Sequence, residues 1–189
     1  MYMIVSNEAQ LRRFRAIWQE VWREKGFELE DETDVLHRLL ICNEASHPVG
    51  TIEVKPYRIS REHPLNEITP FHQQEEIKKD PHRVAEIDKV AMLKEHRGPN
   101  LVRLISTLVL YSAKHQVDYY VCLLEPVFLR ALRISFRIPM RVIGEKFYYK
   151  GDYVVPTIIY CGHVRDHASD YPWISLNIPS VTKFQSVVI

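Results

Sequence analysis

The stretch Ala85-Glu86-Ile87-Asp88-Lys89-Val90-Ala91-Met92-Leu93-Lys94-Glu95-His96-Arg97-Gly98-Pro99-Asn100-Leu101-Val102 decides how this chain is read. A strand, Val84–Leu93, runs into a charged turn, Lys94–Pro99, that closes on Arg97, Gly98 and Pro99. Asn100 is a suitable cap for a helix in which Leu101, Leu104, Ile105, Leu108 and Val109 share one apolar face. A helix opening behind a strand presents unpaired amides and a partial positive charge, so the turn can hold a phosphate. Arg97 adds charge there.

Towards the N-terminus, Met3–Val5 is a short strand and Ser6 or Asn7 caps the helix that follows. Leu11, Phe14, Ile17, Trp18 and Val21 recur at helical spacing, and Gly26 is a C-terminal stop. An acidic loop, Glu28–Asp34, leads into strands Leu36–Cys42 and Val49–Val54, joined as a hairpin across Asn43–Pro48. Pro56–Pro81 holds Pro56, Pro64, Pro70 and Pro81 and little periodicity, with a short helix within Phe71–Lys79. A connection of that length in a compact domain is often functional, as a lid is.

Towards the C-terminus, Val117–Leu124 is a continuous apolar strand of the kind buried on both faces. Val127–Ile134 is a helix with Pro126 at its start, and Met140–Ile143 and Val154–Tyr160 are two last strands joined around Gly151. The central strand–helix–strand unit implies a parallel pair with a right-handed crossover, and the flanking hairpins imply antiparallel pairs. The fold class is therefore α/β: a mixed, mostly antiparallel sheet with helices on its faces. Residues 1–160 suffice for it, and 161–189 form a C-terminal extension of the same domain.

Lys and Arg number 25 and Asp and Glu 24, a net charge of +1. That balance gives no support to a duplex-binding protein or to attraction by an anionic membrane. With 46% hydrophobic residues in 189, the chain can build one full-sized core. Cys42, Cys122 and Cys161 are odd in number and far apart, which argues against a disulfide framework and for a reducing compartment. No secretory leader is visible, and no apolar run approaches the roughly 20 residues of a membrane span. A cytoplasmic location is expected.

His163 and His167 stand at i, i+4 with Asp166 between them, but no third metal ligand is positioned, and the segment reads as an exposed polar tail. No metal is expected. There is no nucleophile elbow, Walker loop or dinucleotide fingerprint. Cys122, inside an apolar strand, reads as core rather than as a nucleophile. Tyr119, Tyr120, Phe147, Tyr148 and Tyr149 read as sheet packing.

In element order over residues 1–160, and in the motif at 85–102, the chain resembles the GNAT acyltransferase superfamily. There the fourth strand ends in an Arg/Gln-x-x-Gly-x-Gly/Ala turn that binds the pyrophosphate of coenzyme A. Arg97 takes the first place, with Gly98 after it, while Asn100 and Val102 stand where the family has two small residues, and Leu101 between them. Val90, Ala91 and Met92 match the strand end whose backbone pairs with the pantetheine arm. The family's general-acid tyrosine is replaced by Ala131.

Both departures resemble the branch of acyl-homoserine-lactone and N-acyl-amino-acid synthases, many of which draw on an acyl carrier protein. Its Glu-x-Ser-Arg pattern is similar to Glu86-Ile87-Asp88-Lys89, and its acidic loop to Asp31-Glu32-Thr33-Asp34. Arg15 and Trp18 loosely match its N-terminal helix, and Pro56–Pro81 its long loop.

The resemblance implies transfer of an acyl group from acyl-coenzyme A, acetyl-coenzyme A or acyl carrier protein to a small amine or amino-acid-like acceptor. Glu86 would take the amine proton or position a water, and amides at Met92 would hold the oxyanion. Lys89 would pair with a substrate carboxylate or with Asp34. Charge would be sorted, with Lys94, Arg97 and Arg103 at the donor end and Asp31, Asp34 and Glu86 at the acceptor end. A ligand-binding or sensor domain that kept this fold without catalysis is the alternative.

Overall fold

The computed structural model describes residues 2–31 and 33–175. β1 (Tyr2–Ile4) leads into α1 (Glu8–Lys25). The Asn7 side chain accepts the Gln10 amide at 2.9 Å, and Gly26 closes the helix in the left-handed region with its N–H on the Arg23 and Trp22 carbonyls. β2 (His37–Cys42) and β3 (Pro48–Pro56) form the expected antiparallel hairpin. The long connection is not irregular throughout: it holds α2 (Pro64–Ile68) and α3 (Glu75–Lys79), with single turns of tighter helix at Phe71–Gln73 and Pro81–Arg83.

β4 (Val84–Met92), α4 (Leu101–His115) and β5 (Tyr119–Leu124) make the central crossover. Asn100 does not cap α4 with its side chain. Its backbone is already helical, and its Nδ2 donates backwards to the His96 carbonyl at 3.0 Å. α5 (Pro126–Ile134), β6 (Met140–Val142), β7 (Phe147–Tyr149) and β8 (Asp152–Tyr160) follow. The segment around Gly151 does not join β6 to β8. It joins β7 to β8 through Lys150 and Gly151, both at positive φ (48° and 107°), the two-residue turn that matches strand twist. A strand of three residues carries too little alternation to stand out in the sequence.

The strand order is β1-β2-β3-β4-β5-β8-β6, with β7 paired to β8, and every pairing is antiparallel except β4–β5. One face carries α1, whose Phe14, Ile17, Trp18 and Val21 bury against Leu40, Ala91 and Leu93. Beside α1 lies the long connection, where Tyr57, Leu65, Phe71 and Ile77 cover Val84, Val121 and Ile158. The other face is covered by α4, with Leu104, Ile105, Leu108 and Val109 packed on the sheet.

Residues 161–175 are not an exposed tail. α6 (Cys161–Asp166) and α7 (Pro172–Ser175) pack along α4, burying Cys161, Val164 and Ile174. The exposed rings of His163 and His167 stack on each other at 4.1 Å. Residues 176–189 of the C-terminal extension lie outside the described residues. Among the described residues, no helix is long and apolar enough to cross a membrane.

Candidate active site

β4 and β5 run side by side only over Val84–Glu86 and Tyr119–Val121. Beyond those residues no β4–β5 register continues, although β4 stays paired to β3 as far as Met92 and β5 stays paired to β8 as far as Leu124. Two strands held by different neighbours and not by each other leave a wedge-shaped gap. It opens into a cavity of about 450 Å³. Ile87 to Met92 line it from β4, Cys122 to Leu124 from β5, and Val127, Phe128 and Ala131 from α5. Its other wall comes from Trp22 and Lys25 of α1, Leu65 and Ile68 of α2, and Tyr149 and Lys150 at the β7–β8 turn.

Glu86 stands where the strands part, 5% exposed, with its side chain on the face shared by α1 and the long connection. Its cross-strand partner is Lys55, whose Nζ lies 2.6 Å from Oε1, while His63 Nε2 lies 3.6 Å from Oε2. His63 Nε2 is also 3.2 Å from the Pro56 carbonyl, so with two acceptors facing it that nitrogen carries the proton. His63 Nδ1 is buried with no hydrogen-bond partner. Burial lowers the His63 pKa, and Lys55 and Arg58 lower it further, so the ring is neutral near pH 7. His63 was not anticipated from the sequence. Nothing in its neighbours marks it, because the contact is made by a loop returning from β3 onto β4.

Leu93 donates its amide to the Val49 carbonyl on β3 at 3.0 Å. By strand alternation the Met92 N–H and carbonyl face the other way, into the gap. The Met92 carbonyl is occupied by the chain itself: Arg97 Nε donates to it at 3.0 Å, and Arg97 Nη2 pairs with Glu24 of α1 at 3.2 Å. Arg97 thus lies at the cavity edge, but its guanidinium is partly committed. The Leu101 amide is likewise taken by the Gly98 carbonyl at 3.1 Å. Val90, Ala91, Met92, Arg97 and Leu101 all line the cavity; Gly98, Asn100 and Val102 do not figure in its lining.

The acidic loop behaves differently from expectation. Asp34 is exposed and pairs with Arg58 at 2.8 Å, and Asp31 pairs with Arg15 at 3.5 Å. Glu32 lies outside the described residues. Lys89 does not pair with Asp34. Its ammonium turns inward to Glu53 Oε1 at 2.5 Å, 5.3 Å from the centre of the buried Trp18 ring. Arg103 pairs with Glu44 at 2.9 Å, away from the cavity, so the expected basic donor end reduces to Arg97. Cys122 lines the gap as an apolar group, since full burial drives its thiol pKa well up. Ala131, in place of a tyrosine, leaves the α5 wall without a phenol there.

No protein-family model and no curated protein matches this sequence. Solved structures do match its fold. FeeM, an N-acyl amino acid synthase from uncultured soil microbes, is 12% identical with a TM-score of 0.68, over 93% of this chain and 97% of that one. The CoA-dependent acyl-homoserine lactone synthase MesI is 11% identical with a TM-score of 0.63, over 85% and 89%. A second such synthase, BjaI, is 15% identical with a TM-score of 0.61, over 91% of each chain. The chain therefore shares its fold with these N-acyl amino acid and acyl-homoserine lactone synthases.

Proposed function

We propose that this protein is an acyltransferase that moves an acyl group from a pantetheine thioester to an amine. The observation that carries the reading is the gap between β4 and β5, with the Glu86 carboxylate at its apex and the Met92 amide directed into it. An extended pantetheine arm can pair with the unpaired β4 edge at Val90–Met92 as an added strand does. The apolar lining from Cys122, Leu124, Phe128 and Ala131 suits an acyl chain.

In the reaction the amine nitrogen bonds to the thioester carbonyl carbon and the carbon–sulfur bond breaks. Glu86, directly or through one water, takes the proton the amine loses, and the thiolate leaves to be protonated as the free thiol. The Met92 N–H holds the oxyanion of the tetrahedral intermediate. Lys55 and His63, one on each oxygen, orient the Glu86 carboxylate. Asp34 acts at a distance, through Arg58 and the field at His63, and Lys89 belongs to the scaffold. Coenzyme A and acyl carrier protein share the pantetheine arm. The exposed arginines on the outer side of α5, Arg130 and Arg133, with Arg137 just beyond, favour an acidic carrier.

Coenzyme A, acetyl-coenzyme A, a long-chain acyl-coenzyme A and acyl carrier protein should be screened by thermal shift. At least one acyl donor raises the melting temperature; no shift with any of them refutes the reading. Glu86→Gln should cut turnover by about 10²–10⁴-fold, the usual worth of a positioned base, with donor binding kept. Full turnover in that variant removes Glu86 from its role. A binding domain without turnover is the second reading, favoured by the commitment of Arg97 to Glu24 and Met92. It predicts a thermal shift with no thiol released for any amine tried.

A further inference from the structure

Lys89 sits in the left-handed region, φ 44°, in the middle of strand β4. A non-glycine residue persists there only where its surroundings over-determine it. Three side chains do so. Asp88 Oδ1 accepts the Lys89 amide at 2.7 Å, Thr51 Oγ1 donates to the Lys89 carbonyl at 2.8 Å, and Glu53 Oε1 accepts from Nζ at 2.5 Å. Glu53 is wholly buried, and its other oxygen accepts from Arg38 Nε at 2.8 Å. The Lys89 side chain is only 1% exposed.

The register shows what this arrangement does. Glu53 stands opposite Asp88 and Thr51 opposite Ala91, so Lys89 and Val90 together face the single residue Ile52. That is a β-bulge. Asp88 and Lys89 both project to the α1 side, towards Lys55 and Glu53, while Val90 packs in the α4-side core. Every later residue of β4 is turned over relative to an unbulged strand. Only with the extra residue does the Leu93 amide point to β3 and the Met92 amide into the gap.

We infer that the buried Lys89–Glu53 ion pair is a positioning device for the acyl donor. It holds the bulge that aims the Met92 amide into the gap, and so sets donor affinity, while its ammonium touches neither donor nor acceptor. The donor's identity rests on the acyl-transfer reading; the bulge and its tether rest on the fold alone.

The test replaces the pair by apolar groups of similar size, Glu53→Leu with Lys89→Met, because such replacement of a buried pair usually spares folding, whereas breaking one partner does not. Amide hydrogen exchange at Val90–Leu93 needs no ligand. In the native protein Ala91 and Leu93 are protected and Met92 exchanges faster, and the double variant loses or reverses this alternation. An unchanged pattern overturns the inference. In the donor assay the dissociation constant for the acyl donor rises about tenfold or more and kcat falls with it, because the Met92 amide also holds the oxyanion, while the acceptor KM stays put. A collapse of kcat with donor affinity intact overturns the inference in favour of a catalytic Lys89. Lys89→Arg, which keeps the ion pair, retains affinity. If the double variant does not fold, Thr51→Val removes only the hydroxyl tether and should weaken donor binding about threefold; no change refutes the inference. A native protein that binds no acyl donor refutes the acyl-transfer reading, while the exchange pattern still decides the role of Lys89.

Discussion

The tip of the β7–β8 hairpin closes one wall of the cavity, and a single substitution tests whether it is pinned there. At Gly151 a Cβ would lie 1.9 Å from the Gly26 carbonyl oxygen, 2.8 Å from its carbon and 3.0 Å from Phe27 Cα. All three are backbone atoms at the closing turn of α1, so no side chain can swing aside. Gly151→Ala thus forces the hairpin off α1 and stretches the 2.8 Å bond from the Glu28 amide to the Lys150 carbonyl. A non-glycine residue at φ 107° adds about 1–2 kcal/mol of backbone strain, and losing the bond adds about 1 kcal/mol. The sum with the displaced contact is roughly 2–4 kcal/mol, which for a domain of this size lowers the melting temperature by roughly 5–15 °C. Gly98→Ala is the control. Its φ is also positive, at 89°, but nothing lies within 4 Å of its Cβ, so it bears the strain alone. Thermal melts followed by circular dichroism should place Gly151→Ala well below Gly98→Ala. Because Phe27, Tyr149 and Lys150 line the cavity, ligand affinity should fall with the Gly151 variant. Equal melting temperatures for the two variants would show that the close approach costs nothing and would refute the pinning argument.

Glu24→Ala should release Arg97 from an ion pair whose members are both about 40% exposed. Such pairs are worth about 0–1 kcal/mol, so stability barely moves, while affinity for acyl-coenzyme A, read by calorimetry, rises as the guanidinium turns to the pyrophosphate; unchanged affinity removes Arg97 from that role. Burial lowers the pKa values of His37, His63 and His115 in the folded protein. The unfolded chain then binds more protons than the folded one as pH falls through 6.5, so stability declines below that pH and is flat with respect to these groups above it. Melting temperatures from pH 8 to 5 should trace that decline. His115→Phe should keep the stacking on Tyr111 (4.1 Å), remove a buried ring nitrogen that has no partner, and flatten part of the slope; an unchanged slope would exclude His115.

Much of the fold was legible in the order of elements. Periodicity placed α1 and α4, composition placed the β2–β3 hairpin, and the right-handed crossover rule made β4 and β5 parallel neighbours. The strand–turn–helix at 85–102 pointed to the edge of the cavity, and Glu86, Met92 and Arg97 all line it. These were readable because they depend on local spacing. Asn100 was misread because capping depends on where the preceding turn places its backbone, and that turn instead draws its amide to His96. β7 was missed because three residues cannot announce a strand.

What the sequence by itself determined is the set of apolar stripes and turns, and with them one mixed sheet covered on both faces. What only the tertiary structure decided is which charges meet. Lys89 follows Glu86 by three residues, and in sequence both look like one acidic–basic motif. In space the bulge sends Lys89 to Glu53, 36 residues away, and leaves Glu86 between Lys55 and His63 at the apex of the gap. Strand alternation would have assigned those side chains differently. A buried charge must be paired, and the available partner lies on the neighbouring strand, at a separation along the chain that no local pattern records.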